Sequence, residues 1–157
     1  MRGMDFLRRI FVICMGLLMP IIILIVCGHL PSISNSWGTE LQPLFIFVNA
    51  LTSYFFFDAH RWRLPSVFIL LLTSFSVVSF PILHNILATL FFASCLYPIW
   101  KLHRFRFYVW IYLLAVPIGF VMGLFWGEVF GVYVLCFYHI HIVMHMYKIG
   151  IRKRYHL

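Results

Sequence analysis

The chain has 157 residues, of which 64% are hydrophobic and only 10% charged, and its formal net charge is +8. A soluble domain carries roughly 25% charged residues, so this composition, with a mean hydropathy of +1.00, excludes a soluble single-domain reading. The twelve Lys and Arg lie in short clusters between apolar runs, the pattern of topology determinants beside anionic headgroups and not of a nucleic-acid-binding face.

Arg2, Arg8 and Arg9 precede a first apolar run, 10–27. It resembles a signal sequence in its basic start and apolar middle, but no A-x-A site follows, and about 18 residues suffice to span. It is expected to stay as a first transmembrane helix, kinked at Pro20, which removes one backbone hydrogen bond. A polar loop follows, 29–42, reading HLPSISNSWGTELQ, without a single Lys or Arg. Pro43 then opens a second helix, 43–57, at the position where its missing N–H costs nothing.

Residues 64–100 contain no Lys, Arg, Asp or Glu. As one helix this run would reach about 55 Å, nearly twice the roughly 30 Å hydrocarbon core, so it must fold back. Ser79-Phe80-Pro81 is the natural turn, because Pro disfavours helix in the residue before it, giving helices at 64–78 and 82–100. The same arithmetic applied to 107–147 demands a second turn between Gly119 and Glu128, where glycines cluster, with helices at 107–122 and 128–147.

The expected fold is therefore all-α, a single polytopic transmembrane domain of six helices. With six spans, all twelve Lys and Arg fall on one side and Glu40 and Glu128 on the other. By the positive-inside rule both termini are cytoplasmic and the loop 29–42 is not. The four cysteines, Cys14, Cys27, Cys95 and Cys136, lie in apolar runs without a C-x-x-C pair, and read as small buried hydrophobes and not as a disulfide framework or zinc ribbon.

Three groups of residues carry chemistry. Gly119, Gly123, Gly127 and Gly131 recur every fourth position, which lets two backbones approach closely in this hairpin or at a dimerisation face, while Gly123 and Gly127 are expected to make the turn between helices five and six. His141 and His145 are spaced i,i+4 on one helix face, as two metal ligands require, with His60, Asp58 or His103 as a possible third; zinc or haem would suit them. They also lie near the headgroups, where His is an ordinary interfacial residue, and no Glu adjoins either to act as a base. On the outer side, His29, Ser34, Glu40, His84 and Glu128 form a candidate polar site, since carboxylates and imidazoles within lipid usually face the bundle interior. Such a group could bind a lipid headgroup, chelate a metal or perform acid–base chemistry. The competing account is local capping by unrelated interfacial residues.

Leu30-Pro31-Ser32-Ile33-Ser34 in an outward loop, followed later by His84-Asn85-Ile86-Leu87-Ala88 with Phe91-Phe92, resembles the six-span family of damage-regulated autophagy modulators and GPI-anchor lipid-remodelling proteins. The likeness covers about residues 27–100. It implies a role in membrane-lipid organisation or remodelling, carried by Pro31, Ser34 and His84; the chain departs from that family in its short loops and in lacking outward-loop cysteines. The His141/His145 pair also echoes the ceramidase and adiponectin-receptor type of intramembrane zinc hydrolase. Those have seven spans and an early-helix serine motif that this chain lacks.

The expected function is that of a small non-catalytic accessory, scaffold or lipid-interacting subunit, with membrane lipids and other membrane-protein subunits as partners, no nucleic acid, and no cofactor. The alternatives are an intramembrane lipid-modifying enzyme or metal- or haem-binding protein using the histidines, and a small channel or transporter using Asn49, Thr52, Ser53 and Thr73–Ser76.

Overall fold

A computed structural model describes the backbone of residues 3–57 and 59–155 and the side chains of 6–57 and 59–147. Asp58 and the basic side chains after Tyr147 lie outside the described residues. Among the described residues seven α-helices dominate: α1 (Gly3–Cys27), α2 (Gln42–Phe57), α3 (Arg63–Ser74), α4 (Pro81–Lys101), α5 (Phe107–Leu113), α6 (Ala115–Met122) and α7 (Leu124–Tyr155). Short 3-10 turns cover Ile33–Gly38, His60–Trp62 and His103–Phe105, and there is no strand among the described residues. Among the described residues three stretches, Phe6–Cys27, Pro81–Lys101 and Leu124–Tyr147, are long and apolar enough to cross a membrane.

The helix ends follow local chemistry. Gly28, with φ 70°, ends α1 in the left-handed conformation that glycine adopts at no steric cost, and Pro20 sits inside the otherwise uninterrupted α1. Helix α3 stops at Ser74, short of the expected residue 78. The Thr73 and Ser74 hydroxyls donate to the carbonyls of Ile69 and Leu70, and Ser76 Oγ accepts from the Val78 N–H, so hydroxyl groups draw the chain into a turn over 75–80. Pro81 then starts α4 at its first position.

The expected helix 107–122 is two helices broken at Leu114. Pro117 supplies the cause, since it offers no N–H to the Leu113 carbonyl and crowds it. The following turn is Gly123 alone, with φ 100°, so α7 begins at Leu124 and not at 128, and Glu128 falls in its second turn. A Cβ on Gly127 would lie 2.8 Å from the Ala115 carbonyl oxygen and 2.8 Å from Gly119 Cα. Gly127 therefore serves backbone-to-backbone packing of α6 on α7 and not the turn.

Around the bundle, α1 packs on α2, α2 on α3, α3 on α4, α4 on α5, α5 on α7, and α7 back on α1, closing a ring; α6 folds against α7 outside it. One apolar cluster gathers Trp62, Ile99, Tyr108 and Tyr138, and a second gathers Met19, Ile23, Phe45 and Phe125 beside the loop 28–41.

Two loops repeat one device. Phe57-Asp-Ala-His-Arg-Trp-Arg63 and Trp100-Lys-Leu-His-Arg-Phe-Arg106 share an aromatic-x-x-His-Arg-aromatic-Arg pattern. Each forms a 3-10 turn whose aromatic, Trp62 or Phe105, is buried. Arg63 Nε donates to the Phe57 carbonyl at 3.3 Å and Arg106 Nε to the Trp100 carbonyl at 3.1 Å. Each guanidinium also lies over the ring of the same residue, at 5.9 and 4.7 Å. A cation thus caps the end of α2 and of α4 in the same way, satisfying a carbonyl that the helix itself leaves open.

Candidate functional site: a cavity between Glu128 and His139

At one end of the ring, the loop 28–41 folds onto the start of α7. The Ile33 N–H donates to Glu128 Oε2 at 2.6 Å, and the Phe125 N–H donates to the Pro31 carbonyl at 3.1 Å. The loop is internally closed by Ser32 Oγ donating to Asn35 Oδ1 at 2.7 Å and Ser36 Oγ to the Ile33 carbonyl at 2.8 Å. Ser34 and Glu128 are buried, and the exposed His29 ring lies 5.3 Å from Phe125 and 6.1 Å from Trp126. His29, Ser34 and Glu128 thus come together at this end. Glu40 is exposed.

His84 does not join them. It lies in the α3–α4 hairpin, fully buried, with Nδ1 2.5 Å from the Phe75 carbonyl. A carbonyl only accepts, so Nδ1 carries the proton and donates. Its role there is to satisfy the carbonyl left open where α3 ends. Its Nε2 is buried without a hydrogen-bond partner.

His141 and His145 do share a face of α7, with the Phe105 ring 5.7 and 6.1 Å away. His141 Nδ1 is 2.9 Å from the Tyr108 hydroxyl, and His145 Nε2 is 3.5 Å from an Arg104 guanidinium nitrogen. No group of three or more His, Cys, Asp or Glu that could hold a metal occurs among the described residues. The two histidines fasten α7 to α5 and to the loop before it.

A second buried histidine is His139. It is 1% exposed, and its ring lies 5.1 Å from Phe56 and 4.8 Å from Trp62. Arg9 donates to its Nδ1 at 2.8 Å, while Nε2 is buried without a partner. The neighbouring Tyr138 is also fully buried, and its hydroxyl donates to the Pro98 carbonyl at 3.3 Å near the end of α4.

Between Glu128 and His139 runs a cavity of about 120 Å³. Helices α1 to α4 and α7 line it. On α7 its wall is Glu128, Val132, Leu135, Cys136 and His139, the spacing of a single helix face. Its other walls are mainly Met, Val, Leu and Phe side chains, interrupted by Asn49 and Thr52 of α2 and by Ser34 of the loop. Glu128 and His139 stand about 16 Å apart along α7 at 1.5 Å per residue. The signal for His139 is therefore its register with Glu128, eleven residues earlier, and not its proximity to His141. Against protein-family models, curated proteins and solved structures alike, no match to the chain is found.

Proposed function

We propose that this protein is a six-span integral membrane protein, with both termini cytoplasmic, that acts without catalysis as a lipid-interacting accessory subunit and holds an apolar chain between its helices. The observation that carries the reading is the cavity: its walls are apolar over most of their length, with Ser34 and Glu128 at one end, His139 at the other and only Asn49 and Thr52 of α2 between them, which suits an amphiphile. The resemblance of residues 27–100 to a lipid-remodelling family points to the same class of partner. A non-catalytic role is supported by the separation of Glu128 from His139 by about 16 Å, far beyond the reach at which an acid and a base share a proton. An ion path is disfavoured because the walls offer few polar groups to replace hydration.

The six-span reading draws on the segregation of the twelve basic residues and on the turn over 75–80. Helix α3, at 12 residues, reaches only about 18 Å, so in the six-span reading its turn would lie below the membrane surface. Val78, Phe80 and Ile82 are exposed there, a composition fit for lipid. The turn's backbone is largely served from within, by Ser76 and by His84, as lipid immersion demands.

Purification in mild detergent followed by native mass spectrometry tests the function, and an impermeant maleimide applied to intact cells tests the topology. A retained lipid or stoichiometric membrane partner is expected, as is outside labelling of Thr39→Cys but not of Arg104→Cys. A lipid-free, partner-free monomer would sink the functional reading, and the reverse labelling would sink the orientation.

A further inference from the structure

The unfilled hydrogen bond at His139 says more about what the cavity takes. A guanidinium can only donate, so Arg9 fixes Nδ1 of His139 as the acceptor in their 2.8 Å contact. The ring is then the neutral tautomer with its proton on Nε2, and that N–H is buried without an acceptor. The two orphaned imidazoles are therefore opposites: His84 is left with an unused lone pair, His139 with an unused proton. Only His139 lines the cavity.

An orphaned donor beside a bound cation calls for an acceptor. The Arg9 charge polarises the ring and strengthens Nε2–H as a donor. Water is a poor candidate, because a buried water needs two to four polar partners, and the rings of Phe56, Trp62 and Tyr138 surround His139. The size of the cavity narrows the choice. At about 120 Å³ it is slightly smaller than the engineered cavity of about 150 Å³ that stays dry and binds benzene. That is room for about the six carbons of a benzene ring, a short run of one alkyl chain and not two side by side. Arg9, Trp62 and the basic loop 58–63 mark this end as the side where lipid carbonyls sit at the edge of the hydrocarbon.

We infer that the cavity takes a single acyl chain, with its carbonyl oxygen accepting from His139 Nε2–H and its alkyl chain directed along α7 toward Glu128. This rests on the reading of the cavity as a lipid chamber. The carbonyl belongs either to a free fatty acid or to a phospholipid ester, which present the same acceptor.

The test uses the full chain in nanodiscs, with Trp37, Trp100, Trp110 and Trp126 replaced by Phe so that Trp62, 4.8 Å from His139, reports alone. Three dibrominated quenchers are compared: a C18 fatty acid, a phosphatidylcholine carrying that acid, and the C18 alkane, which has no carbonyl. The acid or the ester should quench Trp62 at roughly tenfold lower mole fraction than the alkane, the value of about one hydrogen bond. The tighter of the two identifies the source. His139→Phe should abolish that advantage, and His139→Gln, which keeps an N–H, should retain part of it. Equal quenching by acid, ester and alkane overturns the carbonyl anchor while leaving the chamber standing. No quenching by any of them overturns the chamber as well. Should His139→Phe fail to fold, the gap between acid and alkane in the parent protein decides alone.

Discussion

Ile33 and Glu128 lie 95 residues apart in sequence, yet the Ile33 N–H meets Glu128 Oε2 at 2.6 Å. One buried carboxyl group thus holds down a whole loop. Glu128→Ala leaves the Ile33 N–H without an acceptor and should cost about 1–3 kcal/mol, read as a lower unfolding temperature in detergent. Hydrogen exchange at Ile33 and its neighbours should accelerate. Glu128→Gln keeps a carbonyl acceptor and should fall between Ala and the parent.

Gly127 and Gly131 face different neighbours, so alanine should separate them. At Gly127 the added carbon meets backbone atoms at 2.8 Å, whereas at Gly131 it meets the edge of the Phe92 ring at 3.3 Å. A ring can shift by tenths of an ångström and a helix backbone cannot. Gly127→Ala should destabilise by about 1–3 kcal/mol, and Gly131→Ala by clearly less, in the same thermal assay.

His84 should behave as a structural residue and His139 as a binding one. His84→Phe removes the donor to the Phe75 carbonyl and should cost about 1–2 kcal/mol, with faster proteolysis at the α3–α4 turn. It should leave chain binding in the cavity within twofold of the parent, because His84 is not part of the cavity wall. A large loss of binding in a folded His84→Phe protein would contradict that division.

Arg63 and Arg106 should give matching results. Each caps a helix end and covers an aromatic ring, and both are solvent-facing contacts, so Arg→Gln should cost only about 0.5 kcal/mol at each site. The loss should shrink as salt is raised. The double variant should cost the sum of the two, since the loops are separate.

The apolar runs and their punctuation made most of the helices legible: Gly28, Pro43, Pro81 and Gly123 all sit within a residue or two of a helix end. The end of α3 was harder, because Thr73, Ser74 and Ser76 act through hydroxyl bonds that no hydropathy window weighs. The break at Leu114 was readable from Pro117 four residues after Leu113. So was the repeated aromatic-x-x-His-Arg-aromatic-Arg pattern, which a reading by charge alone passes over. The cavity was not legible, because it depends on the order of helices around the ring. His139 stands out only once Arg9, 130 residues away, is placed against it.

Helix α1 is fastened to α7 through Arg9 and His139, through the Tyr133 hydroxyl donating to the Leu17 carbonyl, and through the loop that α1 leads into and Glu128. The chain therefore has no closed interior while it is being made. Helices α1 to α4 supply four walls of the cavity and α7, the last of the described helices, supplies the fifth, so the cavity is complete only once α7 has joined them. A bulky or slowly exchanging occupant can be enclosed at that moment without any gate in the finished molecule. Under the proposed lipid-binding reading, the contents of the chamber would be a record of the membrane in which the protein was made.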